Sequence, residues 1–240
     1  MCARMLLLIT SMALAVSSSP AFAYHEQAVE DGGAVAGRIR VVGEVPPLPP
    51  HEVYKHKETC GVTVPDERIL VGENGALANV VVYLKEVWAG KPIDVRTPVI
   101  LDNKNCAFLP HVLSATVGQT LEIHNSDPFL HDAHARIGPR TLFNRAIMHG
   151  KSARERLREP GLAQINCNVR HTWMQAYLFI AEHPYHTVTS VDGKFKIDQV
   201  PPGKYQLHVW HEMLGSGERE ITVDAGGTTT VDFELSAEAK

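Results

Sequence analysis

The sequence predicts an all-β fold, and two observations support this prediction. Short runs of apolar and β-branched residues recur along the chain, each of strand length and each bounded by Gly, Pro, Asn or Asp. Few segments show the 3.6-residue spacing of apolar side chains that marks a long amphipathic helix. Many short strands joined by frequent turns are typical of β-sandwiches and β-barrels.

Ten segments are candidate strands in chain order. They span residues 36–42, 79–87, 112–117, 120–125, 163–167, 176–181, 194–198, 204–210, 219–223 and 229–235. Turn signals separate several of them, namely V-G-Q at 117–119, V-D-G-K at 191–194, P-P-G-K at 201–204 and A-G-G at 225–227. Residues 153–158 fit either a short helix or a charged strand.

One excursion interrupts the strand pattern before residue 70. P-P-L-P-P at 46–50 favours extended polyproline geometry, because proline fixes φ and has no backbone donor. The polar stretch 51–66 follows and carries Cys60. We expect a loop here that a disulfide would hold in place.

The first 23 residues predict an export signal. A short basic start is followed by an apolar stretch over 6–16 and by the small-x-small site A-F-A at 21–23. The apolar stretch is too short to be a permanent membrane helix, and no later run is long and apolar enough for one. We therefore expect a cleaved signal peptide over residues 1–23 and a periplasmic mature protein without a membrane span.

Length, charge and composition limit the classes of function. Removing 23 of 240 residues leaves 217, enough for one large or two small domains. A net charge of −4 provides no basic field for nucleic acid. No nucleophile–base pair or phosphate-binding glycine loop stands out, so we do not expect an enzyme. Thirteen histidines favour a metal site, although most histidines in proteins are not ligands.

Three cysteines lie beyond the predicted signal peptide, and in an oxidising compartment an odd number leaves one thiol unpaired. All three pairings are open, because the sequence cannot fix connectivity. Cys60 and Cys106 both lie in loop-like settings, so we favour a disulfide between them. This pairing leaves Cys167 free, and His171 and Met174 follow it within eight positions.

The end of the chain has a specific pattern, V-D-G-K-F-K-I-D-Q-V-P-P-G-K-Y-Q-L at 191–207. It resembles the small transthyretin-like, carboxypeptidase regulatory-like β-sandwich. Domains of that type begin with G-x-V-x and A-x-V-x-V strands, which match residues 36–39 and 78–82 far upstream. We therefore expect a split sandwich, built from 35–96 and 184–236, with a second domain over 97–183 inserted into it. Two consecutive domains, 35–183 and 184–240, are the alternative.

The middle segment carries V-G-Q-T-L-E-I-H-N-S-D-P-F-L-H-D-A-H at 117–134, and the loop with Cys167, His171 and Met174 follows. This pattern resembles the cupredoxins, in particular the plastocyanin and amicyanin group. The whole chain resembles exported plastocyanin-like proteins, some of them labelled methylamine utilisation proteins. The resemblance implies a Greek-key β-sandwich over 97–183. It also implies one type-1-like copper site, with His131, Cys167 and His171 as equatorial ligands and Met174 as the axial ligand.

The chemistry of these residue types agrees with that implication. A thiolate, two imidazoles and a weak thioether form the trigonal site of blue copper. Sulfur stabilises Cu(I) and nitrogen also suits Cu(II), so one frame serves both oxidation states. His134 and His111 are weaker candidate ligands. Arg170 makes the spacing C-x3-H-x2-M, one residue longer between cysteine and histidine than in the relatives, so a degenerate site stays open.

Four further histidines have structural interpretations. We expect His183 and His211 at the junction between the domains, with hydrogen-bonded rings, and His186 and His208 at the surface. A metal role is the alternative for His183 and His211.

We therefore expect a copper protein that carries single electrons to or from a redox protein such as a cytochrome or an oxidoreductase. One alternative is a copper carrier or sensor without electron transfer. Another is a structural or carbohydrate-binding sandwich whose copper loop has degenerated.

Overall fold

The structure, a computed structural model, describes residues 24–237. The predicted signal peptide over residues 1–23 lies outside the described residues. Between residues 24 and 237, no helix is long and apolar enough to cross a membrane. Strands dominate this part of the chain, and the predicted all-β sandwich architecture is confirmed.

The part of the chain before residue 91 contributes six strands and two short helices. The strands are β1 (His25–Glu26), β2 (Gly33–Val42), β3 (His51–Glu52), β4 (Thr63–Val64), β5 (Val81–Lys85) and β6 (Ala89–Gly90). The helices are α1 (Lys57–Cys60) and a 3₁₀ turn (Glu73–Gly75). Helix α1 lies in the excursion that the sequence predicted as a loop.

The remaining strands form two groups along the chain. The middle group is β7 (Val99–Lys104), β8 (Ala107–Leu109), β9 (Val112–Thr116), β10 (Thr120–Asn125), β11 (His131–Ile137), β12 (Arg140–Ile147), β13 (Ser152–Arg156), β14 (Gly161–Asn166) and β15 (Gln175–Ala181). The last group is β16 (His186–Val188), β17 (Lys194–Val200), β18 (Gly203–His211), β19 (Gly215–Val223), β20 (Thr228–Thr230) and β21 (Phe233–Ser236). Residues 153–158 were predicted as either a short helix or a charged strand, and β13 shows that a strand forms there.

The first sandwich is built from two distant stretches of the chain. One sheet has the order β16-β5-β18-β19, and the other has the order β17-β2-β20 with β21 also paired to β2. Strands β2 and β5 come from before residue 90, whereas their partners come from residue 186 onwards. Alternate side chains of these strands point inwards, and Ile39, Leu84, Leu207 and Val209 are fully buried in the core.

The second sandwich uses the middle group of strands. Its sheets have the orders β13-β10-β7-β8 and β12-β11-β14-β15-β9. Leu101, Leu121, Ile165 and Leu178 are fully buried between them. The pairs β7–β10 and β9–β15 are parallel, while the other pairs of this sandwich are antiparallel.

The two sandwiches pack against each other through β9 and β15 on one side and β5, β16 and β18 on the other. The rings of Tyr83 and Phe179 lie 4.5 Å apart, and those of Tyr177 and Trp210 lie 5.1 Å apart. His186 Nε2 lies 2.9 Å from Thr116 Oγ1 across this junction. The prediction that His186 is a surface residue was therefore wrong, because the second sandwich covers its ring.

Candidate metal centre

A β-hairpin loop presents Cys167, His171 and Met174. Strands β14 and β15 pair antiparallel up to Asn166 and Gln175, so residues 167–174 close the hairpin. Inside the loop, the Cys167 N–H donates to the Met174 carbonyl at 3.3 Å, and the Met174 N–H donates to the His171 carbonyl at 2.9 Å. Arg170 has φ 72°, so a left-handed turn accommodates the extra residue of the loop.

A second loop presents His131, the first residue of β11. The Asn125 amide donates to the carbonyls of Phe129 and Ile147, both at 2.7 Å, and its oxygen accepts the Asp127 N–H at 3.0 Å. These bonds fix the turn between β10 and β11. Because β11 and β14 are neighbours in one sheet, the two ligand-bearing loops meet at the same end of the sandwich.

Three ligand atoms converge at this end. Cys167 Sγ lies 3.8 Å from His131 Nδ1 and 3.6 Å from His171 Nδ1. Within residues 24–237, these side chains form the one cluster of histidine, cysteine and carboxylate groups whose ligand atoms all lie within 4.8 Å of one another. Both histidines are 0% exposed and Cys167 is 4% exposed. Met174 is 1% exposed and packs in the same core.

Asp127 orients the His131 ring. The His131 Nε2–H donates to Asp127 Oδ2 at 2.9 Å, and the backbone N–H groups of Asn105 and Cys106 donate to the same carboxylate at 2.8 and 2.9 Å. Burial alone would raise the Asp127 pKa, but these hydrogen bonds outweigh it and lower the pKa. An ionised Asp127 keeps the proton of His131 on Nε2. The Nδ1 lone pair therefore faces the sulfur and is free to bind a metal.

Burial also sets the protonation of the other two groups. It lowers the pKa of His171 to about 4, with a further lowering from the neighbouring His131, so the ring is neutral at pH 7. Burial raises the pKa of the Cys167 thiol, which is therefore protonated in the protein without metal. A bound metal would deprotonate this thiol outright. The set offers one latent thiolate and two imidazole nitrogens, and these donors fit copper.

Residues 51–66, which we call the strap, cover this end of the sandwich. The His56 ring stacks on Phe129 with the ring centres 3.9 Å apart, and it lies 5.5 Å from the ring of His171. A disulfide joins Cys60 of the strap to Cys106, and Cys167 is the free cysteine of the described residues. The sequence indicated the disulfide through its loop settings, but no local pattern pointed to the contacts of His56 and Phe129.

The weaker candidate ligands lie outside the cluster. His134 Nε2 bonds Thr141 Oγ1 at 2.8 Å, and its Nδ1 accepts from the Asn168 amide at 2.9 Å. His111 pairs through Nε2 with Glu212 of the first sandwich, and its Nδ1 lies 3.1 Å from the Gln175 carbonyl. The structure does not bring either ring to Cys167. His111 instead connects the two sandwiches.

His183 and His211 are buried, and each ring accepts hydrogen bonds from its own chain segment. His183 Nδ1 accepts the Tyr185 N–H at 3.3 Å. His211 Nδ1 accepts the N–H groups of Met213 and Leu214, both at 3.3 Å. Burial lowers the pKa of both rings to about 4. Their arrangement is that of neutral structural histidines.

A comparison with known protein families matches the end of the chain. A carboxypeptidase regulatory-like domain model matches residues 175–236. None of the curated proteins matches the chain. The chain is therefore similar to this domain family in its last quarter, and the predicted resemblance of that part is confirmed.

Among solved structures, the chain is similar to copper proteins over about a third of its length. A Cu-containing nitrite reductase from Thermus scotoductus SA-01 has 28% identity over 36% of this chain, with a TM-score of 0.34, and the match spans 23% of that enzyme. A purple cupredoxin from Nitrosopumilus maritimus has 21% identity over 35% of this chain and 99% of its own, with a TM-score of 0.31. An amicyanin mutant in its reduced state has 17% identity over 35% of this chain and 81% of its own, with a TM-score of 0.32.

Proposed function

We propose that the chain binds one copper ion at a type-1-like site and carries single electrons, as a carrier rather than an enzyme. The observation that supports this most directly is the convergence of two imidazole Nδ1 atoms on one buried, unpaired cysteine sulfur. Cysteine and two histidines with a weak axial methionine form a trigonal electron-transfer site for copper. His131, Cys167, His171 and Met174 are the proposed ligands.

In this proposal each residue has a separate task. Cys167 provides the thiolate, and the β14–β15 hairpin holds its backbone against Met174. Asp127 keeps the Nδ1 lone pair of His131 directed at the site. When bound, copper supplies an ion that alternates between Cu(I) and Cu(II). A rigid, buried donor set keeps rearrangement small, because the ligands cannot relax far between the two states.

We further propose that the protein works in the periplasm and exchanges electrons with another redox protein, a cytochrome or an oxidoreductase. The signal-like residues 1–23 support export, and the Cys60–Cys106 disulfide is typical of an oxidising compartment. In this view residues 97–183 form a copper domain inserted into the first sandwich. The pairing of β2 and β5 with strands from residue 186 onwards supports that division.

Adding Cu(II) to the metal-free protein tests the proposal. We expect an intense visible absorption band from thiolate-to-copper charge transfer, and we expect the band to disappear reversibly on one-electron reduction. Cys167→Ser should abolish the band and leave the far-ultraviolet circular dichroism unchanged. The matched control is His134→Gln, which alters a histidine outside the cluster and should keep the band. A band that persists in the Cys167→Ser protein would refute the ligand assignment.

One observation favours a second candidate, a copper carrier or sensor without electron transfer. The strap buries His171, so no partner touches this ligand directly while the strap is in place. Protein-film voltammetry distinguishes the two functions. A reversible one-electron couple with fast exchange supports the electron carrier, whereas tight copper binding without such a couple supports the carrier or sensor of copper.

A further inference from the structure

The strap is a closed loop with two separate attachments. At its base, β3 and β4 pair, and the Val53 N–H donates to the Val62 carbonyl at 3.0 Å. His51 Nε2 also lies 3.5 Å from Asp66 Oδ2 across the base. At its tip, α1 ends at Cys60, which the disulfide ties to the buried Cys106. The base is held by hydrogen bonds within the strap, and the tip is held covalently to the second sandwich.

The closed strap removes a ligand from water without replacing its hydrogen bond. His171 Nε2 is buried and has no hydrogen-bond partner. His56 and Phe129 form a stacked pair whose ring centres lie 5.5 and 5.4 Å from that of His171, and neither residue hydrogen-bonds this nitrogen. A buried polar atom without a hydrogen-bond partner destabilises the arrangement that buries it. Burial of His171 Nε2 therefore disfavours the closed position of the strap, and the disulfide at the tip of the strap offsets this effect.

Cys106 also contacts both ligand-bearing loops through its backbone. Its N–H donates to Asp127, which holds His131, and its carbonyl accepts the Trp173 Nε1–H at 2.9 Å from the Cys167–Met174 loop. Asn105 and Cys106 have φ 55° and 61°, so the turn between β7 and β8 places two residues other than glycine in the left-handed region. The tether is thus anchored at the residue that braces the metal centre.

We propose that the strap is a cover over the metal ligands, that the Cys60–Cys106 disulfide holds it closed, and that reduction of this disulfide by a dithiol opens the centre to solvent. In the reduction, the dithiol supplies two electrons and two protons. The S–S bond of the cystine breaks to give two thiols, and the dithiol becomes a disulfide. The inference rests on the proposed function only for the identity of the metal, because His171, the side chain that His56 of the strap contacts, belongs to the cluster itself.

The test uses the full chain without metal and measures the reactivity of Cys167. The protein is treated with N-ethylmaleimide at constant pH, and alkylation at Cys167 is followed by peptide mass spectrometry. In the wild type we expect slow alkylation, since this thiol is buried. In the Cys60→Ser/Cys106→Ser variant we expect alkylation at least ten times faster. The matched control is Thr59→Ala, which changes an exposed strap residue next to Cys60 and should react like the wild type.

An unchanged alkylation rate in a folded double variant would overturn the proposal. Circular dichroism and a cooperative thermal transition establish that the variant is folded. If the double variant does not fold, two other proteins replace it in the test. One is the wild type after reduction with a phosphine. The other is the Val53→Ala variant, which loosens the strap and keeps the cystine. Faster alkylation of Cys167 is expected in both, and the wild-type rate in both would refute the cover.

A second measurement separates this inference from the proposed function. Copper-loaded wild type and double variant are mixed with a Cu(I) chelator under reducing conditions without thiols, and transfer of the ion is timed. We expect transfer at least ten times faster from the double variant. A protein that binds no copper would refute the proposed function, yet the alkylation result in metal-free protein would still decide whether the strap is a cover.

Discussion

At the scale of single residues, Asp127 has the widest influence on the metal centre. Asp127 is 4% exposed, and its carboxylate accepts three hydrogen bonds, two from backbone N–H groups and one from His131 Nε2. The residue therefore connects the β7–β8 turn to a proposed ligand. Because the carboxylate is ionised, it fixes which nitrogen of His131 carries the proton.

Asp127→Asn should weaken copper binding by about 10- to 100-fold. The amide is close in size to the carboxylate, but it has no charge. Its NH₂ group would also face N–H donors, and an NH₂ group cannot accept hydrogen bonds from them. The measurement is competition with a copper chelator of known affinity. Asp102→Asn is the matched control, because Asp102 bonds Ser126 and touches no proposed ligand. Equal affinities for the Asp127→Asn and control proteins would contradict the orienting role.

At the scale of elements, the β14–β15 hairpin brings sulfur and nitrogen donors together because it closes on a left-handed turn. Arg170 is the residue in that conformation. The hairpin requires the backbone conformation of Arg170 and not its guanidinium group. The Arg170 side chain takes part in none of the contacts described for the metal centre. Backbone conformation and side-chain chemistry are therefore separable here by substitution.

Arg170→Gly should keep the copper band, and Arg170→Pro should remove it. Glycine adopts positive φ without strain, whereas proline fixes φ near −65° and cannot form this turn. We expect the proline variant to lose more than about 1 kcal/mol in free energy of unfolding, as measured by urea denaturation. A proline variant with the wild-type spectrum and stability would show that the loop does not need the left-handed residue.

The same elements show what the sequence reveals and what it conceals. Residues 120–125 were predicted as a strand and coincide with β10, because buried and partly buried side chains alternate along it. Strand β12 was missed because only Phe143 and Ile147 of its eight residues are buried, so its sequence has no hydrophobic pattern. The family match begins at residue 175, where β15 starts, but β15 pairs with β9 and β14 of the second sandwich.

The candidate site was also only partly predictable from the sequence. Cys167, His171 and Met174 are close in sequence, so their juxtaposition was readable from spacing, and His131 came from the family resemblance. The burial of His171 was not readable. It depends on the strap, which lies more than 100 residues upstream and reaches the centre through a disulfide and a ring stack. Contacts of that kind have no periodic signal in the sequence.

At the scale of the whole molecule, neutral buried histidines lie where the two sandwiches meet. His211 is 0% exposed and its Nδ1 already accepts two N–H groups, so a proton on that nitrogen would face two donors. The pKa of His111 is shifted the other way. Burial opposes its charge, but the Glu212 carboxylate outweighs burial and raises the pKa. The junction thus contains one histidine whose charged form a carboxylate favours, beside rings whose charged forms burial disfavours.

The free energy of unfolding of the metal-free protein should fall as pH falls from 6.5 to about 4. The pKa of His183 and of His211 is lowered from 6.5 to about 4 in the folded chain, so the unfolded chain binds more protons in this range. Each ring then costs up to about 1.4 kcal/mol per pH unit. His211→Asn should flatten the dependence measured by urea denaturation at several pH values. A slope identical to the wild type would exclude His211 as a contributor.

The divided first sandwich has a consequence for how the chain is made. Strands β2 and β5 emerge from synthesis early, but their partners β16 to β21 come a hundred residues later. Until then β2 and β5 have open hydrogen-bonding edges, which are sites for wrong pairing between molecules. The intervening segment has its own core and can fold first, so it can bring the two ends of the chain into proximity. We therefore expect the first sandwich to close last and slowly, as long-range β pairing generally does.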